Sequence, residues 1–156
     1  METQITLLGT FAISLITLKI ICKRYEFALA GRIAMSVMLV FTSIGHFIYT
    51  KGMALMIDFM PFNVEIVYLT GIIEILAAIG LLLPKFKVRT GWFLIVFFIL
   101  LLPANIYATI KQVNLATATF DGKGINYLWY RIPLQILFIA WVYFSTIRQS
   151  KANPIS

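Results

Sequence analysis

Five long apolar stretches, separated by short polar segments, dominate the pattern along the chain. They cover about residues 5–22, 33–49, 64–83, 91–110 and 127–147. Each stretch is close to the roughly 20 residues that an α-helix needs to cross a bilayer. The segments between them are rich in Lys, Arg, Asp, Gly and Pro, as expected of connections. The pattern predicts an all-α polytopic membrane protein, with residues 1–156 forming a single membrane domain.

The composition points to the same class of protein. The 156-residue chain is 61% hydrophobic and 12% charged, whereas about a quarter of the residues of a soluble domain are charged. The net charge of +7 does not indicate nucleic-acid binding, because the basic residues lie between the apolar stretches and form no continuous basic face. We therefore expect the lipid bilayer, and no nucleic acid, as a partner.

The basic residues predict the orientation of the chain. When successive connections alternate between the two sides, nine of the thirteen fall on one side and four on the other. Since cytoplasmic loops carry the excess of Lys and Arg, we expect the amino terminus outside and the carboxy terminus in the cytoplasm. Positive charges follow the first stretch, so we expect a retained anchor rather than a cleaved signal. The nine are Lys19, Lys23, Arg24, Arg32, Lys85, Lys87, Arg89, Arg148 and Lys151, and the four are Lys51, Lys111, Lys123 and Arg131.

Two residue types limit the cofactors that this chain can hold alone. Cys22 is its only cysteine and His46 its only histidine. One cysteine excludes an intrachain disulfide, a dithiol relay and an iron–sulfur site, and one histidine excludes bis-histidine haem ligation. We predict no metal site. A quinone needs no protein ligand of these types and stays compatible with the sequence.

Five polar side chains lie inside the predicted helices, where a central charge costs about 2.5–3.5 kcal/mol. Counting at 1.5 Å per residue from the outer helix ends places them roughly 4 to 15 Å below the outer boundary. The opposite half, at residues 75–83, 93–102 and 136–142, contains no ionisable side chain. This asymmetry favours a cavity open toward the outer face. The five residues are His46, Glu74, Asn105, Arg131 and Gln135.

Spacing along each helix refines this expectation. Arg131 and Gln135 are four residues apart and share a helix face. Gly71 and Ala78 are small enough to permit close helix approach. Pro103 cannot donate to the carbonyl of residue 99, so we expect a kink near Asn105. We expect Pro133 in the first turn of the last helix.

Each polar side chain has a functional and a structural interpretation. Glu74 is either a proton carrier or an acceptor for a ligand, or else a neutral or Arg-paired carboxyl that fixes helix packing. His46 is either an acid–base residue or quinone partner, or a structural histidine near the interface. Taken alone, Arg131 is expected to reach the lipid headgroups, and Asn105 and Gln135 to bond between helices. Because these side chains come from four helices and lie in one leaflet, the functional interpretation, a shared binding or catalytic site, is favoured over the structural one.

The outer connections add two further candidates. Residues 51–60 are too short to cross, and Met53, Met56 and Met60 recur at helical spacing, which predicts an interfacial helix. These methionines would either pack against lipid or bind Cu(I), and packing needs fewer assumptions. Tyr107 belongs to a group of outer tyrosines that form either an aromatic belt or the wall of a ligand pocket.

Four short motifs in order resemble the DoxX-like family of small prokaryotic integral membrane proteins. They are Gly45-His46-Phe47, Gly71-Ile72-Ile73-Glu74, Pro103-Ala104-Asn105-Ile106-Tyr107 and Arg131-Ile132-Pro133-Leu134-Gln135, within residues 31–148. The resemblance implies a four-helix bundle core, with the first helix as an addition, in the prokaryotic cell (inner) membrane. It also implies an association with quinone-linked sulfur oxidation or terminal oxidases. Some distant relatives instead assist the assembly of other membrane proteins.

Three functions are compatible with these residues. In the first, the protein binds a quinone or similar amphipathic molecule, with Glu74 and His46 as catalytic proton carriers and Arg131, Asn105, Gln135 and Tyr107 as ligand-binding residues. In the second, it is a non-catalytic accessory or assembly subunit, acting with a protein partner or as a homo-oligomer. In the third, it carries a small hydrophobic solute. The sequence leaves open whether the protein is an enzyme.

The orientation is tested by cysteine labelling in a Cys22→Ala background. We expect a membrane-impermeant maleimide to label Lys123→Cys in intact cells, and Lys87→Cys only after the cells are opened, because the two positions are predicted on opposite sides. The reverse pattern would show that the orientation is inverted.

Overall fold

The computed structural model describes residues 2–23 and 25–148. Six α-helices make up most of this part of the chain, and two 3₁₀ turns, Leu55–Ile57 and Ile125–Tyr127, join them. A π-helical segment, Tyr143–Arg148, continues the last helix. The helices are α1 (Glu2–Cys22), α2 (Phe27–Ile48), α3 (Thr50–Ala54), α4 (Asn63–Leu82), α5 (Lys87–Ile110) and α6 (Leu128–Val142). Arg24 and Lys151, which contributed to the orientation, lie outside the described residues.

Five helical segments are long and apolar enough to cross a membrane: α1, α2, α4, α5 and the segment Ile125–Arg148. No strand occurs in the described ranges, where the β-type pairing is one isolated bridge between Asn114 and Thr119. The predicted all-α class is therefore confirmed, and the protein is a multi-pass helical membrane protein.

Two helix starts differ from the prediction. α2 begins at Phe27, not near residue 33, because the Ala- and Leu-containing stretch before Arg32 has high helix propensity even where a charge interrupts the apolar run. α6 begins at Leu128, so Pro133 lies inside the helix and the first-turn placement is wrong. Pro133 therefore removes the helical bond to the Trp129 carbonyl.

The helices form a four-helix bundle with one helix outside it. In the bundle, α2 packs mainly on α4, α4 on α5, and α5 on α6, while the end of the α6 segment returns to α2. α1 packs along α2 and also meets α6, where the Phe11 and Trp141 rings lie 5.0 Å apart edge to face. Among the described side chains of α1, only Leu7 and Ser14 are buried.

The core combines apolar side chains from every bundle helix. α2 contributes the largest share of it, and the π-helical segment closes one end through Ile147. The bundle interior excludes both lipid and water and is closely packed. The packing of these side chains therefore fixes the position of α2 against its neighbours. The core residues with the lowest exposure include Met35, Met38, Leu39, Leu81, Leu94, Val142 and Ile147.

Serine hydroxyls connect α2 to the main chain of α4. Ser36 Oγ donates to the Ala78 carbonyl oxygen at 2.9 Å, and Ser43 Oγ donates to the Gly71 carbonyl oxygen at 3.0 Å. Moving seven residues forward along α2 therefore moves the acceptor seven residues back along α4, as antiparallel helices require. The small residues at 71 and 78 let the serines reach the main chain, which agrees with their predicted role in close approach.

Gly31 performs a similar task between α2 and α6. A Cβ atom at this position would lie 2.8 Å from Ser145 Cβ, which is closer than two carbon atoms normally approach. Trp141 Nε1 donates to the Gly31 carbonyl oxygen at 3.0 Å across the same contact. The absence of a side chain at Gly31 therefore sets the distance between the two helices.

We expect Gly31→Ala to destabilise the protein, because the new methyl group forces α2 and the α6 segment apart. Overpacking typically costs about 1–3 kcal/mol. Gly9→Ala is the matched control, since no atom lies within 4 Å of a Cβ there and alanine favours a helix. Thermal unfolding in detergent measures both. Equal melting temperatures for the two variants would contradict the close α2–α6 contact.

Candidate functional site

His46 of α2 and Glu74 of α4 face each other in the half of the bundle predicted to be outer. His46 Nε2 lies 3.6 Å from Glu74 Oε1. The Glu74 side chain is 6% exposed and the His46 side chain 14%, so the pair is largely removed from its surroundings. The sequence places both residues in the same half of the membrane, with Glu74 deeper than His46, and does not determine that they meet. The contact requires the α2–α4 register set by Ser36 and Ser43.

Threonine hydroxyls complete this pair. The Thr70 hydroxyl donates to the Val67 carbonyl at 2.8 Å, and its oxygen lies 3.1 Å from His46 Nδ1. Because the hydroxyl hydrogen is used on the carbonyl, the oxygen accepts the hydrogen of Nδ1, which leaves Nε2 facing Glu74. In this arrangement a proton can pass directly between Nε2 and the carboxyl group.

Thr42 has two possible hydrogen-bond acceptors and can choose between them according to whether Glu74 is protonated. Its Oγ1 lies 2.9 Å from Glu74 Oε2 and 3.0 Å from the Leu39 carbonyl oxygen, and it has one hydrogen to donate. A carboxylate is the stronger acceptor, so the hydroxyl favours Glu74 when that residue is ionised. The carbonyl offers an alternative acceptor when the carboxyl is protonated. Thr42 and Thr70 were not among the predicted site residues, although each lies four residues from a member of the pair.

Arg131 of α6 and Asn105 of α5 form a second pair. Arg131 Nη1 donates to Asn105 Oδ1 at 2.6 Å. The guanidinium group also lies over the Tyr127 ring, 5.1 Å from its centroid, which provides a cation–π contact. Both side chains are partly buried. Arg131 is therefore held inside the protein and does not depend on lipid headgroups for a partner.

The cavity beside Arg131 is small. Its volume is about 20 Å³, which accommodates about one water molecule. Met56, Thr109, Lys123 and Tyr127 contribute to its wall together with Arg131. A quinone ring does not fit in this space.

The other two predicted ligand-binding residues bond to the protein. Gln135 Nε2 donates to the Phe98 carbonyl oxygen at 2.6 Å. That carbonyl is next to the one that loses its helical donor at Pro103, so Gln135 supports α5 where proline weakens its hydrogen bonding. The Tyr107 hydroxyl donates to Asp58 Oδ1 at 2.6 Å and thereby joins α5 to the connection after α3.

The predicted polar residues therefore form separate contacts. His46 and Glu74 meet between α2 and α4, whereas Arg131 and Asn105 meet between α5 and α6. In the described part of the chain, no hydrogen bond or ion pair links one pair to the other.

The two connections at this end of the bundle touch each other. A Cβ atom at Gly52 in α3 would lie 2.2 Å from the Leu115 carbonyl oxygen, so the main chain of the 111–124 connection rests directly on α3. Within that connection, Asn114 N donates to the Thr119 carbonyl at 2.8 Å. The Thr119 hydroxyl donates to Asp121, and this hydrogen bond lowers the pKa of the exposed Asp121 carboxyl. The predicted helix at 51–60 is shorter, ending at Ala54 and continuing as a 3₁₀ turn.

The larger cavity lies at the opposite end of the bundle from these polar pairs. It has a volume of about 290 Å³ and lies among α1, α2 and the α6 segment. The prediction was a cavity that opens toward the outer face. This cavity lies elsewhere because small residues near the start of α2 and the end of α6 leave space between the helices, and a search for polar residues does not detect such a space. These small residues are Ala28, Gly31 and Ala140.

We expect Asn105→Leu to lower the free energy of unfolding by about 1–3 kcal/mol, because Arg131 is left without its acceptor. Adding Arg131→Met should recover part of this loss, with a coupling energy of about 0.6–1.7 kcal/mol. A double-mutant cycle by detergent unfolding measures the coupling. Strictly additive effects would show that the two side chains act independently.

Comparison with known proteins gives one match. No curated protein and no solved structure matches the chain. A family model described as "Domain of unknown function (DUF8561)" matches residues 35–146, which include most of α2 and all of α4 and α5. This range is more than half of the 156-residue chain and contains both polar pairs. The chain therefore belongs to the DUF8561 family.

Proposed function

We propose that this protein is a redox-associated membrane protein of the DoxX-like type, in which the His46–Glu74 pair exchanges protons with a quinone or similar amphipathic molecule. The observation that carries the proposal is the 3.6 Å approach of two ionisable side chains within membrane-spanning helices. Ionisable residues are costly at this depth and are typically retained where protons or ligands move.

The pair has the chemical properties of a proton carrier. With Nδ1 hydrogen-bonded to Thr70, a proton carried by the pair can sit on Nε2 or on the carboxyl group, and neither arrangement leaves an uncompensated charge. Thr42 supplies a hydroxyl to the carboxylate in one arrangement and retains the Leu39 carbonyl in the other. Such a pair can give a proton to a quinone oxygen or take one from a quinol at little electrostatic cost.

The ligand would approach from the bilayer rather than enter a closed cavity. The cavity at Arg131 is too small, and the pair lies between two neighbouring helices, α2 and α4. The exposed rings of Phe47 and Tyr68, 5.8 Å apart, lie on the same two helices within seven residues of the pair. Aromatic rings of this kind suit a flat, apolar headgroup. Electrons would come from a partner protein or a bound cofactor.

The proposal includes a location and an orientation. The protein resides in the prokaryotic inner membrane with its amino terminus outside and its carboxy terminus in the cytoplasm, as the distribution of Lys and Arg predicts. The His46–Glu74 pair then lies in the outer half of the membrane, and protons exchange with the outer side.

A second candidate is a non-catalytic accessory or assembly subunit. Every predicted site side chain has a partner within the protein, including Gln135 at the Phe98 carbonyl and Tyr107 at Asp58. In this function, the polar contacts fix helix packing, and the exposed apolar faces meet a protein partner.

The test compares Glu74→Gln with wild type in the binding of decylubiquinone to purified protein in nanodiscs. A proton held by the pair can be donated to the quinone oxygen in a hydrogen bond, so we expect wild-type affinity to weaken as the pH rises and this proton is lost. Glu74→Gln keeps the shape and removes the ionisation. We expect about tenfold weaker binding and loss of the pH dependence.

Two further variants separate ionisation from shape. Glu65→Gln makes the same change at an exposed position of α4 and should leave both measurements unchanged. Glu74→Asp keeps an ionisable carboxyl and should retain the pH dependence. A Glu74→Gln protein that melts at a lower temperature but binds decylubiquinone as wild type does would favour the accessory function.

A further inference from the structure

The cavity of about 290 Å³ lies between the middle of α1, the beginning of α2 and the end of α6, on the side of the bundle away from the His46–Glu74 pair. Its wall is mainly apolar and aromatic, with contributions from Phe11, Phe27, Gly31, Trp141, Phe144 and Ser145. The volume is about twice the roughly 150 Å³ of an apolar cavity that takes up benzene. We refer to this cavity as the α1–α6 groove.

The groove lies within helices that cross the membrane, so the surrounding medium is hydrocarbon. A void there forfeits dispersion contacts that an acyl chain would supply. Two features keep the groove from being filled by the protein itself. Ala28 and Ala140 place only methyl groups in its wall, and the π-helical segment Tyr143–Arg148 carries Phe144 and Ser145. π-Helical turns are rare and occur frequently at functional positions.

Cations lie beside two walls of the groove. On one wall, Arg148 Cζ lies 5.4 Å from the centroid of the Phe144 ring. On the other, Phe27 stacks with Tyr25 at 5.7 Å, and Lys19 Nζ lies 4.6 Å from the Tyr25 centroid. Both cations are exposed.

A third cation strengthens the positive charge at this end. Arg32 follows Gly31 in α2, and its Nε atom is buried without a hydrogen-bond partner. Glu26 is the acidic residue whose charge acts on Arg32. Together with Lys19 and Arg148, Arg32 leaves this side of the bundle with an excess of positive charge.

We propose that the α1–α6 groove binds an anionic phospholipid, with one acyl chain in the groove and the phosphate between Lys19 and Arg148. The charge selects this occupant, because a quinone tail would also fill an apolar groove but ends in a neutral headgroup. A helix of a second protein is about 10–12 Å across and does not fit a space of this volume. The positive-inside prediction places the groove in the cytoplasmic leaflet, where anionic lipids are abundant.

Trp141 in the groove wall provides a direct measurement. The chain has three tryptophans, and Trp92→Phe with Trp129→Phe leaves Trp141 as the sole fluorophore. The protein is reconstituted in phosphatidylcholine vesicles with increasing fractions of dibrominated phosphatidylglycerol or dibrominated phosphatidylcholine, whose bromines quench a tryptophan that they touch. Two cations at about 1 kcal/mol each correspond to about thirtyfold selectivity for the anionic lipid.

The contribution of the cations and the contribution of the space for the acyl chain are tested with separate variants. Lys19→Gln with Arg148→Gln should bring the selectivity close to one, whereas Lys85→Gln with Arg89→Gln removes the same charge from the α4–α5 connection and should leave it unchanged. Ala140→Phe should fill the groove and reduce quenching by either brominated lipid, with Ala140→Leu as a smaller change that preserves folding. Equal quenching by both lipids in wild type would overturn the proposal. Equal loss of selectivity in the Lys19/Arg148 and Lys85/Arg89 double variants would also overturn it. The same holds if a folded Ala140→Phe or Ala140→Leu protein is quenched as strongly as wild type.

Discussion

The contact between α2 and α4 is the constraint on which the rest of the structure depends. In a bilayer, no water satisfies a polar group, so every hydroxyl and carboxyl between these helices must find a partner in the protein. Ser36 and Ser43 bond to main-chain carbonyls seven residues apart and fix the helix register. That register brings His46 to Glu74, which their placement in the same half of the membrane alone does not ensure. The helix that supplies this contact also carries Met35, Met38 and Leu39, so packing of the core and geometry of the pair are linked.

The polar side chains at the interface of α5 and α6 have a different role. Here polar side chains compensate for proline rather than set a register. Pro103 removes a donor from α5, and Gln135 donates to the neighbouring Phe98 carbonyl. One turn away on the same face of α6, Arg131 bonds to Asn105. These side chains were predicted as ligand-binding residues because they are polar and deep, but their amide and guanidinium groups are occupied by the protein. These contacts therefore lie in a different interface from the ionisable pair.

The sequence predicted the class of fold well, because helix length and hydropathy are local properties. It also identified Gly71 and Ala78 as sites of close approach. It did not predict which of these residues meet, since the rotation of one helix against another depends on all packed side chains together. Ser36, Ser43, Thr42 and Thr70 were the missed signals. The groove was missed for a related reason: Ala28, Gly31 and Ala140 are ordinary helix residues, and they leave a cavity only where α1, α2 and α6 pack together.

The serine contacts have a consequence for how the sequence can change over evolutionary time. Their acceptors are main-chain carbonyls, which every amino acid possesses. Positions 71 and 78 are therefore restricted in volume rather than in hydrogen-bonding chemistry, and position 71 is the more restricted, because a Cβ atom there would lie 3.0 Å from His46 Cβ. Positions 46 and 74 are restricted in chemistry, because each side chain is the other's partner. Substitutions in α4 are thus expected to divide into two groups: those that drift independently within a size limit, and those that change only together with α2.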